Sequence, residues 1–211
     1  VEASDGHLWL GGDSAVYRLD RGTHQVTPYR PDPERAEGLM GQPFRLHVVE
    51  GDDGIWFGRI GGVSRLDPRS GVFTDYLHDP RNPHSSAPGL ASRIVRDRQG
   101  NYWVAGRGGL FRFDAENSVF SRVESVAEPR PRSVWGLFSD RSGRLWVTSE
   151  TEGLWEHDPR SGEWRNYDVR DGLGDNRTVD VIGLPSGELV VTSLGGINLF
   201  GSKFGNYAQD I

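Results

Sequence analysis

The sequence predicts an all-β protein built from repeated four-stranded antiparallel units, and three observations predict it. First, one short word recurs five times: Asp5-Gly6-His7-Leu8-Trp9-Leu10, Asp53-Gly54-Ile55-Trp56-Phe57-Gly58, Gln99-Gly100-Asn101-Tyr102-Trp103-Val104, Ser142-Gly143-Arg144-Leu145-Trp146-Val147 and, with its Trp replaced, Ser186-Gly187-Glu188-Leu189-Val190-Val191. Second, its glycines, at 6, 54, 100, 143 and 187, are 43 to 48 residues apart. That spacing fits a repeat of about 40–50 residues. Third, 29 Gly and 12 Pro in 211 residues suit short strands joined by tight turns and argue against a helical protein.

The second copy shows the plan in order. Residues 44–50 read as a first strand, and Asp52-Asp53-Gly54 as a hairpin turn, because Gly tolerates the positive φ such turns demand. Residues 55–58 read as a second strand, Gly61-Gly62 as a reversal, and 63–66 as an alternating third strand. Asp67-Pro68-Arg69-Ser70-Gly71 is a turn in which Pro fixes φ early and Gly takes the left-handed position at the end. It returns intact as Asp158-Pro159-Arg160-Ser161-Gly162 and degenerates to Asp114-Ala115-Glu116-Asn117-Ser118. Residues 72–76 form a fourth, outer strand, with equivalents at 25–29, 119–123 and 163–167.

Four antiparallel strands per unit, repeated about an axis, make a β-propeller. The whole chain, 1–211, reads as one array with blades near 1–30, 43–77, 90–123, 133–168 and 177–208. One blade cannot bury both its faces, so Trp9, Trp56, Trp103 and Trp146, at one register, are expected to pack between neighbours. Only Val1–Ser4 stand ahead of the first turn, so the first blade lacks most of its inner strand. An arc of a larger ring is therefore expected rather than a closed five-bladed one. The open faces of such an arc would meet further blades or a second copy.

Composition narrows the function. A net charge of −6 argues against free nucleic acid as a partner. The absence of cysteine excludes disulfides and thiol chemistry. No run of 18 apolar residues is present, so a membrane enters only through segments beyond this chain.

The repeat resembles that of the two-component regulator propellers. Gly89-Leu90 followed by Asp97–Gly109, and Asp171-Gly172-Leu173-Gly174 ahead of the fifth blade, carry the resemblance along with the Gly-Gly-Leu-x-Arg-x-Asp and Asp-Pro-x-Ser-Gly segments. It covers nearly the whole chain and implies that the larger ring is seven-bladed. The resemblance implies the periplasmic sensor region of a bacterial membrane receptor whose output domain, a histidine kinase or a diguanylate cyclase, lies across the membrane. Oligosaccharide fragments are ligands of some such receptors. No kinase, nucleotide-binding or cyclase motif occurs here, so the expectation is a sensing module that is not itself an enzyme and holds no cofactor.

Ligand-binding side chains concentrate on propeller loops. Arg59, Arg107 and Glu150 follow the second strands at what reads as one register and so are expected to ring one face. Arg offers a planar fork of donors for carboxylate, phosphate or hydroxyl groups. Arg93, Trp135, Arg177 and Asp180 belong to inner strands or their entrances, near the axis. Trp135 breaks the pattern, since other blades carry Leu46, Ser92 and Val179 there; it reads either as a platform for a sugar face or as an added packing residue. The long connections 30–42 and 78–90, rich in Pro and charge, read either as ligand loops or as plain solvated loops.

Enzymatic chemistry finds less support. The six histidines, His7, His24, His47, His78, His84 and His157, form no zinc-binding pattern. His7 and His157 read as surface or edge positions. Two alternatives stay open: a streptogramin-lyase type of propeller, with a His/Glu pair and magnesium, of which Ile55-Trp56-Phe57 is reminiscent; and a protein-interaction scaffold.

Overall fold

The computed structural model describes residues 1–12, 15–30, 47–86, 89, 91–106, 108–123, 131, 133–201 and, in backbone only, 204–207. Five separate antiparallel sheets follow one another along the chain, each a simple up-and-down meander. The first has three strands: β1 (Leu8–Gly11), β2 (Val16–Leu19) and β3 (Val26–Tyr29). The others have four. They are β4 (Val48–Gly51), β5 (Gly54–Arg59), β6 (Gly62–Leu66) and β7 (Phe73–Leu77); then β8 (Ala91–Arg96), β9 (Tyr102–Gly106), β10 (Gly109–Asp114) and β11 (Val119–Arg122). Next come β12 (Val134–Ser139), β13 (Leu145–Ser149), β14 (Leu154–His157) and β15 (Trp164–Tyr167), then β16 (Thr178–Gly183), β17 (Leu189–Ser193), β18 (Gly196–Phe200) and β19 (Phe204–Tyr207). This is an arc of β-propeller blades.

In the first blade residues 1 and 2 stand beside the second strand, where the other blades carry an inner strand. Val1 and Trp9 exchange both backbone hydrogen bonds (2.7 and 2.8 Å), and Glu2 bridges to Leu8.

The core lies between blades, as the register of the tryptophans requires. Four apolar clusters join blades one and two, two and three, three and four, and four and five. Trp56 stacks on Tyr76 of its own outer strand and meets Tyr102 and Phe113 of the next blade at ring distances of 4.7 and 5.4 Å. Trp146 likewise lies between Tyr167 of its own blade and Phe200 of the next.

The aspartate that opens the turn before the second strand has a second task. Asp97 accepts the backbone N–H groups of Gln99 and Asn101, and its other oxygen takes the indole N–H of Trp103 at 2.7 Å. Asp140 does the same for Trp146 at 2.9 Å; in blade two, where the turn is tighter, Asp53 inside the turn takes the Trp56 indole N–H at 3.2 Å instead. A buried indole N–H without a partner costs roughly 1–3 kcal/mol, so the carboxylate makes the tryptophan tolerable inside the core. In the fifth blade Leu184 and Val190 stand where the aspartate and tryptophan would be, and both have gone together.

The outer faces of the end blades remain uncovered. Leu10 and Val26 on the first blade, and Ile182 and Ile197 on the fifth, are exposed. In the middle of the arc the counterparts of Leu10 (Phe57 and Val147) and those of Ile197 (Val63 and Leu154) are fully buried.

Candidate functional site

The inner strands β4, β8, β12 and β16 lie side by side and line the axis. Their registers against the second strands align Val48, Ile94, Leu137 and Val181 as one level. The residues just before them, His47, Arg93, Gly136 and Asp180, therefore form the next level. The four blades differ completely at this level, although it sits beside a uniformly apolar row.

Three of these strands carry an irregularity at the same place. The ladder shifts between Ala91 and Arg93, between Val134 and Leu137, and between Thr178 and Asp180. Such bulges re-aim side chains and recur beside functional sites. Ser92, in the first, turns its hydroxyl to the carbonyls of Ala105 and Val134 (3.1 and 3.0 Å) and ties blade three to blade four. Trp135 and Val179 hold the same position in blades four and five and are 43% and 48% exposed. Leu194, in the two-residue loop of blade five, is 64% exposed and donates its N–H to the Arg177 carbonyl. Exposed apolar side chains, Trp135 among them, thus stand beside this level of the inner strands.

At that level, the Arg93 guanidinium pairs with the Asp180 carboxylate, reaching past blade four. Gly136 makes room for this: a Cβ there would stand 2.9 Å from Asp180 Cα and Oδ1 and 2.6 Å from Thr148 Oγ1. Thr148 in turn accepts the Gly136 N–H (2.7 Å) and donates to the Val179 carbonyl (3.1 Å), so the backbones of blades four and five are pinned at this level. Arg93 and Asp180 are each about a third exposed, so the pair is reachable from solvent.

His47 completes the level. Its Nδ1 is buried without a hydrogen-bond partner, while a backbone hydrogen bond ties the ring to Ile94. Burial, and next the positive charge of Arg93, push it down to about 4, so the imidazole is neutral at neutral pH. The cluster therefore carries one positive and one negative charge, with a donor fork and an acceptor side by side. It suits a neutral polar ligand better than an ion of either sign.

Other sequence-predicted residues fall elsewhere. Arg59 is not a loop residue. Strand β5 runs one residue further than its sequence suggests, Arg59 pairs with Gly62 in the ladder, and its true counterparts are Gly106 and Ser149. Its side chain is 1% exposed, bonded to Asp75 (2.7 Å) and Ser64 (3.4 Å), and so does not face a ligand. Arg107 lies outside the described residues. Glu150 is exposed in the loop after β13, its N–H donated to the Ser133 carbonyl (3.1 Å). Arg177 stands at the entrance to β16 but folds back on Asp175, whose carboxyl this contact lowers to about 2. Connection 30–42 lies, apart from Arg30, outside the described residues. Within 78–90, Asp79, Asn82 and Ser85 bond one another, and the His84 carbonyl accepts the Phe120 N–H of β11.

His157 is not at an edge: it is 4% exposed, stacked on Trp164 at 4.4 Å and set edge-on to Trp103. Among the described residues no group of three or more His, Cys, Asp or Glu could hold a metal ion.

Two cavities open at the other ends of the strands, away from the loops just described. One, of about 650 Å³, is lined by Arg144, Glu156, Trp164, Arg165 and Tyr167. Here blade four inverts the charge of its sisters: Glu156 stands in the register of Arg18, Arg65 and Arg112. It accepts from Arg144 (2.7 Å) and from the Tyr167 hydroxyl (2.8 Å), which burial and the carboxylate keep protonated. The other, of about 460 Å³, lies between blades one and two. Aligning the inner strands would have found His47 in the sequence, and aligning the third strands Glu156. No sequence signal marks the reach of Arg93 to Asp180.

No family model matches the chain, and no curated protein does. Solved structures share its fold. What is described as the extracellular domain of the hybrid two-component system BT3049 from B. thetaiotaomicron has a TM-score of 0.79 at 16% identity, over 99% of this chain and 29% of that one. The corresponding domain of BT4673 from the same organism scores 0.70 at 18% identity, over 99% of this chain and 26% of that one. A virginiamycin B lyase from Staphylococcus aureus, bearing H270A and solved with quinupristin, scores 0.74 at 16% identity, over 100% of this chain and 69% of that one. The chain thus spans less than a third of the length of the first two. At these identities the likeness is one of fold.

Proposed function

We propose that the chain is part of a ligand-sensing, extracytoplasmic propeller of a bacterial two-component or cyclic-dinucleotide receptor. It belongs on this reading to the two-component regulator propellers and lies in the periplasm. It binds a polar small molecule or glycan at the axial level and performs no catalysis. The repeat supports this reading, as do similar folds in extracellular domains of two-component systems. The single observation that carries the site is the Arg93–Asp180 pair across Gly136, set beneath exposed Trp135. A donor fork beside an acceptor matches a pair of hydroxyls, and an indole face matches the C–H face of a sugar ring. To signal, the ligand must bind two receptor states unequally.

The test is calorimetric titration of the chain with a panel of neutral, acidic and basic oligosaccharides and metabolites. Neutral polyhydroxy ligands are expected to bind, with affinity falling at least tenfold in Trp135→Ala and in Asp180→Asn. Binding that survives both changes would place the site elsewhere, and release of a ring-opened product from a cyclic ester would favour the lyase alternative.

A further inference from the structure

His47, Arg93 and Asp180 come from blades two, three and five, yet they occupy one level of the axis. Gly136 of blade four, between them, presents no side chain and no charge. Among the described residues, the charged side chains that act on His47 are Arg93 and Asp180. Arg93 opposes a charge on its ring, and Asp180 favours one. Asp180 is bonded to Arg93 and acts on His47 through its charge alone, and at neutral pH His47 is uncharged. The His47 Nδ1, buried without a partner, is the atom that gains a proton and a need for an acceptor when the ring becomes charged.

We propose that these three residues form an acid-responsive latch: neutral His47 leaves Asp180 to Arg93, which ties blade three to blade five, and protonated His47 repels Arg93, draws on Asp180 and releases that tie. The latch uses the residues of the binding site proposed above but acts without ligand, so its failure and that of the binding proposal are separable. Its physical basis is competition: one carboxylate cannot satisfy two neighbouring cations as well as one. The bulges at Arg93 and Asp180 give both strands a local break in the ladder at which to yield.

The experiment is a ligand-free titration of the full chain by imidazole NMR, alongside hydrogen exchange of β8 and β16. In the parent, His47 is expected to titrate far below the ordinary histidine range, with exchange of the two strands near Arg93 and Asp180 rising about tenfold as it does. Arg93→Gln should move the His47 midpoint up and Asp180→Asn should move it down. His47→Gln, neutral at every pH, should abolish the acid-driven rise in exchange. If neither charge change moves the His47 midpoint, or if His47→Gln keeps the same acid-driven exchange, the latch is overturned. Should Arg93→Gln not fold, the Asp180→Asn and His47→Gln arms decide alone.

Discussion

Arg93 of blade three and Asp180 of blade five are bonded across blade four, because Gly136 at that level has no side chain to stand between them. The contact links positions 87 residues apart in sequence. A methyl group at 136 would fall 2.6 Å from Thr148 Oγ1 and 2.9 Å from Asp180. Gly136→Ala is therefore expected to destabilise by about 1–3 kcal/mol, as overpacking does. Urea unfolding measures it; an unchanged midpoint would mean the inner strands are further apart than described.

The indole–carboxylate bonds predict a blade-specific pattern. Asp97→Ala leaves the Trp103 N–H buried and unsatisfied, and removes the acceptor for two turn N–H groups. A loss of about 1–3 kcal/mol is expected, in thermal or urea unfolding. Leu184→Asp in blade five, where Val190 offers no indole, should bring no gain.

Backbone conformation predicts the opposite sign at the turns. Ser118 holds φ 57° at the position where Gly71 and Gly162 hold 73° and 76°. Ser118→Gly should stabilise, and Gly162→Ala, which meets nothing within 4 Å and so pays only for conformation, should destabilise. Each change should be about 0.5–2 kcal/mol. Equal midpoints for all three proteins would contradict the left-handed assignment.

Arg59 is buried inside its blade against Asp75. Removing it strands Asp75 beside Ser64, and truncating one partner of a buried ion pair costs about 3–5 kcal/mol. Asp75 is partly exposed, so the lower end is expected for Arg59→Ala. Ligand affinity, measured below the melting range, should not change.

Acid should weaken the fold before its carboxylates protonate. Burial lowers the folded-state values of His47 and His157 below the ordinary 6.5, so the unfolded chain takes up their protons first. Their contribution is complete above pH 6.5 and is lost as pH falls, for His47 toward about 4. Stability followed against pH should decline across that window. The decline should shrink in His157→Phe, which keeps a ring on Trp164 without a proton to gain. A profile identical to the parent would remove His157 from the account.

The blade plan was legible because a two-residue period, turn glycines and a recurring Trp are local signals repeated five times. Trp9 and Trp56 could be assigned to packing from recurrence alone. Arg59 misled because strand ends are set by tertiary pairing: its neighbour Gly58 lets blade two approach Ala91 closely, and the ladder extends one residue further. His157 misled because an imidazole can be buried when it is neutral and stacked. The axial cluster was legible only as separate names. Arg93, Trp135 and Asp180 were each marked as axial, but their meeting depends on Gly136, an absence of side chain that no motif announces.

The paired loss of aspartate and tryptophan in blade five constrains how such a repeat can diverge. Starting from Asp97 and Trp103, removing the acid first buries an orphan N–H, and removing the indole first leaves a carboxylate facing the core. Both single steps are costly where neighbours pack closely, so the two sites should drift as a linked unit unless, as with Asp53 and Trp56, another acid of the turn takes the indole N–H. Blade one shows the exit from this constraint: Trp9 persists with Ala3 in place of the acid, and both line the 460 Å³ cleft beside blade two. Where the seam between blades is open, the order of mutation ceases to matter, and that is where a lineage of such repeats can begin to change.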